Sequence, residues 1–379
     1  MNKKICVRFI AVLFISLVFL CGCSQKNQKT LIEFASWGSK SEVDILIPLL
    51  KGFEKENPDI KVEFMHIPQN YFQKIHLLFA SNTSPDVIFI NNLYLPVYAN
   101  AGVLEPINLT ENVFYPQALE ALSFKGELYA IPRDLSNLVI FYNKDIFDKK
   151  HVAYPSENWT FKDFLNTAQK LTDKNTFGIS FEEDPLFYLP YLMSNGGGIL
   201  PDELKKEESQ KSLDFYADLR KKYHVAPERS ENASATMAQM FLQGRMAMYL
   251  SGRWMVPKIR EEAQFDWDIA KFPKGTKGSI VQLDASGWAI SKSSKHKKEA
   301  LKLIEYLSSK QSIEAFTKSG LIVPARKDAA NSEIFLNGQK PENAKIFLDI
   351  ISTSKPTPVT VDYREILDNL KTQMEPRFN

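Results

Sequence analysis

Three short segments in the first hundred residues decide the fold: Leu31-Ile-Glu-Phe-Ala35, Ile60-Lys-Val-Glu-Phe64 and Asp86-Val-Ile-Phe-Ile90. The first two alternate apolar and polar residues, as half-buried strands do. The third is continuously apolar and reads as a strand covered on both faces of a parallel sheet. Between them lie two helical patterns. One runs from Ser41, an N-cap by residue type, with Val43, Leu46, Ile47, Leu50 and Phe53 on one face, and Asn57-Pro58 ends it. The other is Tyr71 to Ala80. Strand, helix, strand, helix, strand implies an open α/β sheet with right-handed crossovers.

The alternation returns downstream without a sequence repeat. Leu138–Tyr142, Phe177–Phe181, Met246–Leu250 and Trp288–Ile290 read as strands. Thr160–Leu171, Leu204–Tyr223, Ser234–Gln243 and Lys297–Ser309 read as helices. No segment of linker composition divides the chain. Two lobes, if present, would therefore be joined by strands that pass between them, not by a tether.

The N-terminus reads as an export signal. Lys3, Lys4 and Arg8 precede the apolar run Phe9–Leu20, and no acidic residue occurs before Glu33. The run is too short for a spanning helix, which needs roughly 20 apolar residues. Leu20-Cys21-Gly22-Cys23 resembles the lipobox of bacterial lipoproteins. That resemblance implies a signal peptide over 1–22, a diacylglyceryl group on Cys23 and a tether over 23–29. Two acyl chains hold a protein stably at a membrane. The remaining cysteines, Cys6 and Cys21, fall in the signal, so the exported chain would rely on its core without an internal disulfide. The formal charge of +2 includes the three signal cations. The folded part is thus near neutral, and nothing in it favours nucleic acid.

In open α/β sheets ligands lie beyond the carboxyl ends of the strands. Three exits stand out: Ser36-Trp37-Gly38-Ser39, Asn91-Asn92-Leu93-Tyr94 and Ser251-Gly252-Arg253-Trp254. Each combines an aromatic ring with small or polar groups. That mixture suits a sugar, whose C–H face packs on a ring while its hydroxyls need fixed donors and acceptors. Gly196-Gly197-Gly198 is a loop signal only. Arg133-Asp134 is either a local ion pair or a pair facing the cleft. The five histidines show no metal spacing, no GxSxG elbow is present, and no acidic residue falls at the three exits. No cofactor, metal or catalytic residue is called.

Several motifs in order resemble the extracellular solute-binding protein family 1, the sugar-type receptors of ABC importers. Phe53-Glu54 leads to Asn57-Pro58-Asp59-Ile60-Lys61-Val62, and Ser81 leads to Pro85-Asp86-Val87. Ala99–Pro106, Gly126–Pro132 and Tyr142-Asn143-Lys144 follow. Then come Phe241, Gly244, Ala247, Met248, Gly252 and Trp254, the stretch Ser294–Ser308, and Val323-Pro324. The resemblance implies a type II, periplasmic-binding-protein-like fold with a ligand cleft between two lobes joined by crossing strands. One lobe would hold 30–133 plus 288–325 and the other 137–283 plus 326–379.

It further implies Trp37, Asn92 and Tyr94 on one wall of the cleft, and Ser251, Arg253 and Trp254 on the other. Asp134 and Asn137 would lie at the first crossing, Asp284 and Trp288 at the second, and Tyr363 on a late helix. The partners implied are a sugar and the permease subunits of an ABC transporter, with the chain a monomer held outside the cell by its lipid. A cationic solute such as a polyamine, held by Asp134 and Asp284, is the alternative within binding proteins. A lipoprotein glycosidase is the alternative of another class. Family members usually carry a further helix after the one expected over Tyr363–Met374, so apolar surface is expected to be uncovered near Asn379.

Overall fold

A computed structural model describes residues 29–232 and 234–378. The signal, Cys23 and nearly all of the tether lie outside these residues. The strands are β1 (Thr30–Ser36), β2 (Ile60–His66), β3 (Val87–Asn91), β4 (Ser123–Phe124), β5 (Glu127–Leu128), β6 (Ala130–Asn143), β7 (Phe177–Ile179), β8 (Met246–Gly252), β9 (Trp267–Ala270), β10 (Leu283–Ile290) and β11 (Val323–Pro324). The main sheet runs β2-β1-β3-β10-β6-β8-β7, with β9 and β11 also paired to β6. The first three strands are parallel, as their alternation with helices requires.

Strand β6 builds both halves of the molecule. Its first part, Ala130 to Asn137, pairs with β10, and its second part, Leu138 to Asn143, pairs with β8 and β9. The partners change between Asn137 and Leu138. Strand β10 inserts between β3 and β6 in antiparallel sense although it lies about 200 residues beyond β3. The sequence reading recovered only its end, Trp288–Ile290, because Asp284-Ala-Ser-Gly287 carries no apolar alternation.

Several boundaries move by one or two residues for local reasons. The first long helix begins at Lys40, not after Ser41, because Ser39 has the extended backbone of an N-cap and its side chain accepts from the Glu42 amide. Thr160 caps Phe161–Leu171 with a complete capping box, as its position suggested. The helix expected over Lys297–Ser309 ends at Leu307, and a second, Lys310–Lys318, starts at the Ser309 cap. Lys327–Ala330 still packs on β11 and on Lys310–Lys318. After it, a largely irregular stretch leads to the last helix, Tyr363–Phe378.

That last helix corrects the expectation of bare apolar surface. It continues three residues past Pro376's predecessor Glu375, and Phe378 is enclosed among Phe181, Tyr188 and Tyr216. The buried Arg220 donates to the Phe378 carbonyl and lies over the Phe181 ring, closing the helix end. None of the helices among the described residues is long and apolar enough to cross a membrane.

Candidate functional site

A cavity of about 600 Å³ opens between the helix Tyr71–Ala80 with the β3 exit on one side and the last helix on the other. Phe72, Tyr94 and Tyr98 form its first wall, and Asp184, Tyr363, Arg364 and Lys371 belong to the opposite one. Tyr94 and Phe72 stack with ring centroids 3.7 Å apart and planes 11° from parallel, giving one continuous aromatic platform. Trp37 backs that platform. It packs on Phe72, Tyr71 and Phe89, the last at 4.2 Å, and is half-buried. Tyr363 is mostly enclosed, and burial pushes its phenol well above the usual range. Tyr94 and Tyr363 line the cavity from opposite sides, and Trp37 supports the Tyr94–Phe72 platform from behind.

Trp254 stands apart from this wall with 37% of its surface exposed. Its ring lies directly over Gly252. A Cβ at position 252 would sit 1.9 Å from the ring, so only glycine lets the indole adopt this place.

Asn92 braces the sheet. Its Nδ2 donates to Asp284 at 2.9 Å, and its Oδ1 accepts from the Ala285 amide at 3.1 Å. Burial raises the Asp284 carboxyl, while the Asn92 hydrogen bond pulls it back. Asn92 therefore fixes the second crossing and aims the Asp284 carboxylate.

Arg133 and Asp134 are a local ion pair. Between Ser286 and Gly287 the pairing skips Arg133, which makes it the extra residue of a bulge in β6. The bulge turns its guanidinium onto Phe89, 4.1 Å away, with Glu42 and Asp134 as charged partners. Asp134 is pushed up to about 6, because desolvation outweighs the pull of Arg133. Gly287 faces this bulge, where a Cβ would collide with the Ile131 carbonyl.

Four expected positions change character. Trp288 is a core residue: it is fully buried against Phe34 and Phe89, because its place on β10 past the bulge turns it into the first lobe. Asn137, Ser251 and Arg253 do not form an open wall. All three are buried at the point where β6 changes partners, with the irregular stretch before the last helix laid across them. Asn137 Nδ2 donates to the Phe347 carbonyl at 2.9 Å, and Arg253 lies over the rings of Phe335 and Phe347. Asn137 Oδ1 and Gln282 Oε1 are buried without a hydrogen-bond partner among the described residues. Buried polar atoms are nearly always paired, so an unpaired group at a crossing marks a place where another polar molecule can bind.

Glu182 lies at a strand exit outside the three that the sequence singled out. It follows β7 and Phe181, on the fourth strand exit. Burial, with the nearby Asp184 charge, raises its carboxyl to about 7. No cation pairs with it among the described residues. The signal was the short strand Phe177–Phe181 itself, whose exit was not followed to Glu182-Glu183-Asp184. Neighbouring Glu183 differs because Arg220 and Arg229 both bind it.

The model of the family "bacterial extracellular solute-binding protein" matches residues 49–342. The galactooligosaccharide-binding protein of Bacillus subtilis is 23% identical over 97% of this chain and 90% of its own length. An ABC substrate-binding protein from Listeria monocytogenes, solved in complex with cycloalternan, has a TM-score of 0.86 and 27% identity, covering 93% of this chain and 94% of that one. The maltotriose-binding protein of Thermus thermophilus, solved with maltotriose, has a TM-score of 0.77 and 24% identity over 92% and 94% of the two chains. These neighbours share the two-lobed type II architecture, with β6 and β10 as crossing strands here. By the family match and the architecture together, the chain belongs to the bacterial extracellular solute-binding proteins.

Proposed function

We propose that the chain is the receptor of an ABC importer and captures an oligosaccharide by closure of its two lobes. The observation that carries this reading is the cavity between Tyr94–Phe72 and Tyr363, an aromatic platform faced by polar side chains. Stacking and hydroxyl recognition are both available there, as a pyranose ring needs. Asp184, Arg364 and Lys371 offer polar groups to the sugar hydroxyls, and Trp254 is a second aromatic surface. The sugars named for the relatives support the same class.

A ligand touching both walls stabilises the closed arrangement. One lobe comprises 30–133 and 288–325, and the other 137–283 with the C-terminal part. The packing of Lys327–Ala330 on β11 favours drawing the last boundary after Ala330. Family membership puts the chain outside the cytoplasm. In this reading Cys23 carries the lipid that keeps it at the membrane, beside its permease. A polyamine held by Asp134 and Asp284 is less well served, since Arg133 already neutralises Asp134 and Asn92 occupies Asp284.

The test is thermal unfolding of the purified chain with maltotriose, galactooligosaccharides, cycloalternan and spermidine in turn. A ligand at about 1,000 times its dissociation constant adds roughly 4 kcal/mol and raises the midpoint by several degrees. A shift with an oligosaccharide is expected. A shift with spermidine alone would overturn the sugar assignment.

A further inference from the structure

Arg253 is the one charged group whose burial nothing in its surroundings explains. It is 3% exposed and forms no salt bridge or hydrogen bond among the described residues. Its Nε and Nη1 are both buried without an acceptor. The guanidinium rests 3.8 Å from the centre of the Phe335 ring, with Phe347 beyond at 5.4 Å. Those rings cover it but supply no negative charge.

The other buried arginines show what is missing. Arg133 has Glu42 and Asp134, and Arg220 has Glu183 and the Phe378 carbonyl. The one charge that acts on Arg253 is instead another cation among the described residues, Arg260, which donates to the Lys340 and Ser319 carbonyls. Desolvation, with Arg260 adding to it, pulls Arg253 down to about 9. It still carries its charge at neutral pH. The π faces of the two rings offset part of the cost of burying this charge, and an anion against the guanidinium offsets the rest. The residue also follows β8, at the end of the strand where ligands of such sheets lie.

We propose that Arg253 anchors a buried anion site, taking either a halide ion or the carboxylate of an acidic sugar. The second source rests on the oligosaccharide reading above; the first does not. Asn137 Oδ1, an unpaired acceptor also close to Phe347, requires an occupant that leaves it room or meets it with a hydroxyl. Chloride does the former and an acidic sugar the latter.

Two measurements on the full chain, each repeated with Arg253→Met and Arg253→Lys, decide the matter. In the first, chloride is titrated at constant ionic strength with isethionate, an anion much larger than chloride, as the balancing salt. A halide site raises the unfolding midpoint of the parent chain by a few degrees, does less with Arg253→Lys and nothing with Arg253→Met. In the second, glucuronate-terminated oligosaccharides are compared with their neutral counterparts by calorimetry. A solute carboxylate on Arg253 gives at least tenfold tighter binding of the acidic member, lost in Arg253→Met. Absence of both effects overturns the anion site. If neutral oligosaccharides still bind in that case, the receptor reading survives it. If no sugar binds while chloride stabilises, the anion site survives and the receptor reading does not.

Discussion

At the scale of single residues, the two tryptophans assigned to opposite walls do different work. Trp37 is embedded among Tyr71, Phe72 and Phe89. Its replacement by alanine should cost about 3 kcal/mol of stability, read by denaturant unfolding, in addition to weakening ligand binding. Trp254 is exposed, so Trp254→Ala should leave the unfolding midpoint nearly unchanged and lower oligosaccharide affinity at least tenfold. Gly252→Ala should reproduce that loss with the tryptophan still present, since the new methyl displaces the ring. Normal affinity in both variants would remove Trp254 from the site.

Glu182 gives a prediction in pH. Its folded pKa, about 7, lies above the 4.5 of an unperturbed glutamate. Between those values the folded state holds a proton that the unfolded chain has lost, so this residue's contribution makes stability fall as pH rises from 4.5 to 7. Glu182→Gln should therefore match the parent near pH 4.5 and exceed it in thermal midpoint above pH 7. Parallel profiles would show that the carboxyl is not perturbed.

Among elements, the last helix depends on its end. Phe378 packs edge-on against Phe181, Tyr188 and Tyr216, so Phe378→Ala should cost about 3 to 5 kcal/mol. A loss below 1 kcal/mol by denaturant titration would mean that the helix end frays. Sequence periodicity found elements wherever one face is apolar, as in Tyr71–Ala80 and Met246–Leu250. It failed where pairing replaces pattern. Val323-Pro324 forms a strand of two residues against Leu135 and Asp134, which no local rule announces. The bulge at Arg133 also hid the direction of Trp288, because period two tells that neighbours alternate but not which face is the core.

Over the whole molecule, the parallel opening of the sheet and the aromatic exits were readable from β1 to β3. The covering of Asn137, Ser251 and Arg253 was not, because it depends on an irregular stretch that returns from far along the chain. If the lobes close on an oligosaccharide, small-angle scattering should show a smaller radius of gyration with ligand. An unchanged radius with confirmed binding would assign this conformation to the liganded state already and reject closure as the response.

Strand β10 has one more consequence, which concerns the timing of folding. It fills the gap between β3 and β6, so the first lobe cannot complete its sheet until residue 290 has been synthesised. Until then β3 and β6 each present an unpaired edge, and contacts of such long sequence separation form slowly. While the later residues are still on the ribosome, the nascent first lobe therefore lacks the strand that locks it.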